Sequence, residues 1–499
     1  MAPNTVQCQR PTADARAPYA LGFSTLEREV SGVALPIEGA LPAWLTGSLI
    51  RTGPAKFEVG QRSYQHWFDG LAMLHCFSLR DGGVTYSNRF LQSQSFCEAM
   101  KSGYIVRGEF MTDPCRTLFG RVMSFFNPQP TDNGCVNVSV LAGQMVALPE
   151  LPLPVRFDPR TLETLGILHY DNPVRGQVST AHPHHDGRRG YSYDVHMGRK
   201  SSYRIFTDDA GAQRVLCELP VDRPAYMHSF GMSERFLVLT EFPLRVNPLR
   251  LAFTAFSGEP FIRNYRWAPE AGTVITVISK ADGSVVARAK AAPCFAFHHV
   301  NAFESDAVLH VDLLTYPDAG IIEQFRLARL RSAEPVNATG RLTRIRIPIG
   351  GRTGAVVKAT QETLSEHQIE LPRISYARCA GRPYQFVWGA GLTIPDNFMD
   401  NITKIELGPE GRTQTKVWHQ NGCYPGEPVF AARPGASAED DGVLLSVVLD
   451  TASRRSFLLV LDAARLEEHA RATVPHHIPL GFHGNHFPDA ARHDAVSGS

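Results

Sequence analysis

Val274-Ile275-Thr276-Val277-Ile278-Ser279-Lys280-Ala281-Asp282-Gly283-Ser284-Val285-Val286 runs as an apolar strand, makes a polar turn and comes back as a second strand. Asp and Gly supply the tight backbone that a hairpin needs. The same figure returns along the chain. It is found from Cys76 to Tyr86, from Val155 to Thr164, and from Ile205 to Gly211 with Val215-Leu216 behind it. It recurs from Ile405 to Gly411, and from Phe457 to Asp462 with a return through Leu466. Alternating apolar positions in these pieces mark half-buried strands. Thirty-five prolines and forty-one glycines suit a loop-rich β protein, because both punctuate strands.

Repeated hairpins at irregular spacing predict an all-β propeller with long loops rather than a solenoid. An array of β-sandwiches is the alternative. Short helices are predicted near Cys97–Lys101 and Leu118–Phe126. The 499 residues exceed the usual length of one domain. A propeller accommodates that length, since each blade adds a layer without enlarging a single core. No linker divides the chain. One folded unit is expected over 21–487, with frayed ends at 1–20 and 488–499.

Apolar residues make up 43% of the chain and charged residues 20%, an ordinary soluble composition. The formal net charge of +1 gives no support to a nucleic-acid partner. Nine cysteines are scattered singly, without a CxxC. The start, Met1-Ala2-Pro3-Asn4, has no basic or apolar leader region. A reducing, cytoplasmic compartment is expected. No apolar run reaches the ~18 residues that a spanning helix needs.

Four of the nineteen histidines stand in similar settings. They are Thr180-Ala181-His182-Pro183, Tyr226-Met227-His228-Ser229-Phe230, Phe297-His298-His299-Val300-Asn301 and Gly481-Phe482-His483-Gly484. Each lies in or beside an apolar strand, and no two are close in sequence. Neutral imidazoles brought together would hold iron, copper, zinc or nickel. The doublets leave the choice of ligand open. His184 and His185 follow His182, and His476-His477 precedes His483. Successive strand side chains face opposite ways, so only one of His298 and His299 can face an axis. Surface or capping roles are expected for His66, His75, His169, His310, His367, His419 and His469. Buried histidines in a propeller used for protein binding are the bland reading of the four.

Other segments carry a resemblance. They are Gly47-Ser48-Leu49-Ile50-Arg51-Thr52-Gly53-Pro54 and His66-Trp67-Phe68-Asp69-Gly70-Leu71-Ala72-Met73-Leu74-His75. Tyr424-Pro425-Gly426-Glu427-Pro428 and the stretch from Asp440 to Val448 join them. With the four histidine segments in order, the chain resembles the carotenoid cleavage oxygenases from about Trp44 to His483. The stretch from Gly53 to Gly60 and Thr131-Asp132-Asn133 resemble the branch of animal β-carotene oxygenases and the retinoid isomerohydrolase.

The resemblance implies a seven-bladed propeller with Fe(II) on its axis and a few short helices capping the active-site face. It implies His182, His228, His298 and His483 as ligands, with Glu150, Glu370 and Glu427 behind them. The residues flanking Glu150 diverge from the family pattern. The implied reaction is cleavage of a conjugated C=C bond of a carotenoid or apocarotenoid by O2 into two carbonyl products, β-carotene being the first expectation. A retinoid isomerohydrolase on the same scaffold and a stilbene-type dioxygenase are the alternatives. No organic cofactor is implied. An apolar tunnel would set which bond is cut. Trp67, Phe68 and Phe96 are candidates to line or support it.

An apolar polyene partitions into membranes. The segment from Asp113 to Phe126 combines apolar and aromatic residues with two arginines, which suits an interfacial position. Cys115, Leu118, Phe119, Phe125 and Phe126 are the membrane-contact candidates. Thr112 and Arg116 stand where the branch has the outer residues of a Pro-Asp-Pro-Cys-Lys element. Leu249, Leu251, Phe253, Phe256 and Phe261 make a second apolar stretch. Replacing Leu118, Phe119, Phe125 and Phe126 by alanine is expected to reduce sedimentation with liposomes and to leave bound iron unchanged. Unaltered sedimentation dismisses the membrane role.

Overall fold

The computed structural model describes residues 16–113, 130–174, 176–187, 189–209, 211–248, 250, 260–393, 395, 397–408 and 412–489. All six predicted hairpins form antiparallel pairs. Leu71–Arg80 returns as Gly83–Phe90, and Thr273–Ser279 returns as Val285–Ala291. The pairs starting at Val155, Ser201, Asn401 and Arg455 follow the same rule. At the Asp81-Gly82 turn φ is +50° and +71°, left-handed at both positions as a two-residue hairpin loop requires. Gly283 closes its hairpin at φ +73°, where a Cβ would run into the Leu216 carbonyl. Only glycine meets both conditions.

The hairpins are arranged as the blades of a seven-bladed propeller. Five sheets of four to six strands account for five blades. A seven-stranded sheet supplies the other two. They share the 14-residue strand Thr360–Arg373. Its first part, to Ile369, pairs with Gly340–Pro348, and its end pairs with Phe386–Gly391.

Both ends of the chain close the ring. Gly484–Phe487 pairs with Gly47–Lys56 in the first blade. Ile37–Gly39 pairs with Glu468–Thr473 in the last. Each terminal segment thus completes a sheet built by the opposite end of the chain. Strand edges that would otherwise template aggregation are covered.

Adjacent blades meet through large apolar side chains. Trp388 is fully buried and stacks on Phe430 of the last blade, with ring centroids 4.8 Å apart and 7° between planes. Its Nε1–H donates to the Ala463 carbonyl at 3.0 Å. That bond satisfies the polar handle that burial would otherwise strand.

Among the described residues helices are few and short. The predicted helix near Cys97 spans Gln94–Ser102. The Ser93 Oγ accepts from Phe96 N–H at its start, and Gly103 ends it in the left-handed conformation. Two one-turn helices, Gly320–Gln324 and Leu327–Arg331, flank Phe325, which reaches the central cavity. The helix predicted over Leu118–Phe126 lies outside the described residues, with Cys115 and the four apolar membrane-contact candidates. So do Leu249, Leu251, Phe253 and Phe256, whereas Phe261 opens the short turn Phe261–Asn264.

Trp388→Ala removes the stacked indole between two blades. A loss of about 3–5 kcal/mol of stability is expected, read by denaturant unfolding.

Candidate metal centre

Each blade contributes one residue to the axis, which explains why the motif residues are so far apart in sequence. His182 lies at the bend between Val178–Ser179 and His184–His185. His228 precedes the strand Gly231–Met232, His298 lies within Phe295–Ser305, and His483 precedes Gly484–Phe487. These are four different blades. The other three carry the glutamates. Glu150 follows Gln144–Leu148, Glu370 belongs to Thr360–Arg373, and Glu427 lies between Cys423–Pro425 and Val429–Ala432.

Short bonds stitch the ligand backbones together across blades. The Thr180 hydroxyl donates to the His228 carbonyl at 2.8 Å and accepts from the His182 N–H at 3.0 Å. The Ser229 hydroxyl donates to the Phe297 carbonyl at 2.7 Å.

The donor nitrogens of the four histidines all lie within 4.8 Å of one another. Donors bound about 2.1 Å from one ion lie about 3–4 Å apart, so this span suits a mononuclear centre. Nε2 of His182 is 2.8 Å from Nε2 of His228, and Nε2 of His298 is 3.1 Å from Nε2 of His483. Behind the rings, Nδ1 of His228 meets Glu150 at 2.5 Å, that of His298 meets Glu370 at 2.6 Å, and that of His483 meets Glu427 at 2.7 Å. A carboxylate partner keeps the ring proton on Nδ1 and turns the Nε2 lone pair forward. His298 and His483 therefore face each other with two lone pairs and no proton between them. A cation at the common point resolves that repulsion, so the donor set fits a metal ion.

Burial favours the neutral form of two of the rings, His182 and His483. Burial, reinforced by the other three imidazoles, holds His182 well below the usual histidine range. Burial also lowers His483 to about 4, against the opposing pull of Glu427. Burial by itself would raise the Glu427 carboxyl, but Arg373, His483 and Arg51 hold it well below the usual carboxylate range. Burial likewise opposes ionisation of Glu370, and His298, the Leu371 N–H and the Tyr316 hydroxyl reverse it.

The glutamates have their own supports, and the sequence offered no signal for most of them. Tyr226 donates its hydroxyl to Glu150 at 3.0 Å, and Tyr316 donates to Glu370 at 2.8 Å. Arg373 lies 2.9 Å from Glu427 and also donates to the Gly484 carbonyl. Arg51 holds the Phe482 carbonyl at 2.9 Å. Tyr226 alone stands near its histidine in sequence. Tyr316, Arg373 and Arg51 reach the centre only through the fold.

The remaining histidines of the motifs are engaged elsewhere. His299 points away from the axis, between the Ser229 and Thr240 hydroxyls at 2.9 Å each. His184 bonds Tyr376 and the Phe230 carbonyl. His477 turns to Ser24. The expectation of a surface or capping role fails for His75, which is 5% exposed, and holds for His66 in its capping form although the residue is 0% exposed. His66 caps the turn Trp67–Asp69 from within the core and bonds the Ile322 carbonyl at 2.8 Å. His75 bonds the Tyr86 hydroxyl at 2.8 Å. Neutral imidazoles can be buried wherever both ring nitrogens are accommodated.

A cavity of about 210 Å³ opens onto His228, His298 and His483. Its wall carries the phenyl rings of Phe68, Phe110, Phe261, Phe297, Phe325 and Phe482. Trp67 also lines it. Phe96 does not: it stacks on Phe90 with centroids 5.0 Å apart. Its helix turns that ring onto the first blade rather than to the axis.

Residues 23–488 match the family model described as retinal pigment epithelial membrane protein. The Macaca fascicularis carotenoid-cleaving dioxygenase, mitochondrial, is 33% identical, over 93% of this chain and 94% of that protein. The Galleria mellonella carotenoid isomerooxygenase is 35% identical, over 91% and 93%. The Rattus norvegicus β,β-carotene 15,15′-dioxygenase is 31% identical, over 91% and 89%. Among solved structures, a Synechocystis apocarotenoid oxygenase variant superposes with a TM-score of 0.83 at 24% identity, covering 95% of this chain and 99% of its own.

Glu370→Gln and Glu427→Gln each replace a carboxylate behind a ring. Each is expected to weaken metal binding about 10–100-fold, read by titration against a metal-buffering chelator.

Proposed function

This chain belongs to the family of retinal pigment epithelial membrane proteins and carotenoid-cleaving oxygenases, and on that premise we propose that it is a non-haem Fe(II) dioxygenase. Its substrate is a carotenoid or apocarotenoid, cleaved at one conjugated C=C bond into two aldehyde or ketone products. The observation that carries this reading is the set of four converging Nε2 donors at one end of an aromatic cavity.

His182, His228, His298 and His483 would hold the iron, which when bound supplies the activation of dioxygen. The protein's own contribution is orientation and exclusion. Glu150, Glu370 and Glu427 lock three rings by their Nδ1–H groups. Four uncharged ligands leave the full charge of the ion uncancelled, unlike the two-histidine, one-carboxylate arrangement. Phe297, Phe325 and Phe482 offer flat apolar faces to a flat conjugated chain and keep bulk water from it. How far the polyene penetrates decides which bond meets the donors. Both oxygen atoms of O2 leave in the two carbonyl groups, so the reaction balances without an external reductant. The relatives named as dioxygenases support the oxidative reading.

The seven described cysteines carry free thiols, which supports a reducing compartment such as the cytoplasm. No described helix is long and apolar enough to cross a membrane. Contact with a membrane surface remains part of the proposal through the sequence of 113–126.

Incubation with ¹⁸O2 and β-carotene, an apocarotenal or a stilbene tests the reading by product mass. Two carbonyl products, each carrying one labelled oxygen, are expected from a polyene. Retinyl-ester cleavage without oxygen uptake overturns it. His228→Ala and His298→Ala are each expected to lose iron and activity together, and normal iron content in either variant overturns the ligand assignment.

A further inference from the structure

The aromatic cavity contains one acid that the metal centre does not use. Glu109 lines the wall and is 8% exposed. Its Oε1 accepts from the Thr131 hydroxyl at 2.7 Å. Among the described residues, Oε2 has no hydrogen-bond partner. Arg107, the described cation that acts on it, is committed elsewhere: it grips Glu98 at 2.9 and 2.6 Å and the Pro130 carbonyl at 2.7 Å. Asp69 and Asp132 lie close by and add like charge. Burial, with those two carboxylates, pushes the Glu109 carboxyl well above its usual range. Burial thus favours its neutral form, and a protonated carboxyl has an O–H to donate into the cavity that it lines.

Its position is apart from the metal donors. Phe110, the next residue, packs on Tyr226 with ring centroids 5.7 Å apart, and Tyr226 in turn supports Glu150. Glu109 lines the same cavity without being a partner of any of the four histidines or three glutamates of the centre. An isolated donor in an apolar pocket is costly unless something accepts from it. A pure hydrocarbon offers no acceptor.

We propose that Glu109 recognises an oxygen-bearing end of the polyene, its carboxyl group donating a hydrogen bond to a carbonyl or hydroxyl oxygen of the substrate. Apocarotenals, apocarotenols and hydroxylated carotenoids are then preferred over bare hydrocarbons. The inference rests on the polyene-cleavage reading and narrows its substrate class.

Glu109→Leu is expected to lower kcat/KM for an apocarotenal roughly 10–100-fold and to change it less than about 3-fold for β-carotene. Glu109→Gln keeps an N–H donor and should recover most of the loss. Equal losses on both substrates, or none on either, overturn the proposal. Raman spectra of bound apocarotenal give a readout that needs no turnover. In the wild-type protein the C=O stretch should fall below its value in hydrocarbon solvent, and Glu109→Leu should restore that value. An unshifted stretch in the wild-type protein overturns the proposal even if the leucine variant fails to fold. A shifted stretch with no cleavage of any polyene would sink the catalytic reading and leave the Glu109 contact standing.

Discussion

Three imidazoles give their Nδ1 protons to glutamates, and their Nε2 lone pairs are thereby turned inward upon one another. Such a cluster is self-repelling unless a cation sits among the lone pairs. The rest of the architecture holds this arrangement in place. Each histidine and each glutamate belongs to a separate blade, so the geometry of the centre is the geometry of the ring. A slip of one blade against its neighbours would move one ligand without moving the other three.

That dependence gives meaning to the way the ring is closed. Gly484–Phe487 pairs with the first blade, and His483 stands directly before it. The last ligand reaches the axis only because the C-terminal strand is held by the N-terminal sheet. Arg51, on the partner strand, reaches back to the Phe482 carbonyl and neighbours Glu427. Closure of the fold and completion of the donor set are thus one event in the chain's geometry. Blade contacts such as Trp388 on Phe430 keep neighbouring sheets from sliding.

The cavity joins two kinds of chemistry. Near the donors, charge is balanced locally: Glu427 is flanked by Arg373 and Arg51, and Glu370 by Tyr316. Phenyl rings, Phe297 and Phe482 beside the ligands among them, line the same cavity and suit a planar conjugated chain. Glu109 is a buried acid in the wall that these phenyl rings also line. A fold that buries such a group at a wall, with one oxygen held by Thr131, leaves the other available to a ligand.

Much of this was legible in the linear chain. Period-two apolar pieces on either side of polar turns marked all six hairpins, because strand pairing across a short turn is a local matter. The histidine and glutamate motifs named the atoms that converge, through their resemblance to a known family. What local pattern lacked was distance. His66 and His75 carry no mark that separates a buried histidine from a surface one, and only packing places their rings beside Ile322 and Tyr86. Phe96 looks as fit for the cavity as Phe68, yet the direction of its helix sends it to Phe90. Tyr316 belongs to the centre with no motif near it in sequence, and Arg51 and Arg373, which lie in or beside quoted segments, acquire their partner Glu427 only through the fold. The chain by itself determined the strands, the turns and the kinds of donor available, since these follow from neighbouring side chains. The tertiary structure decided which nitrogens meet, which proton each ring keeps and which wall each aromatic joins, since those depend on seven blades closing around one axis.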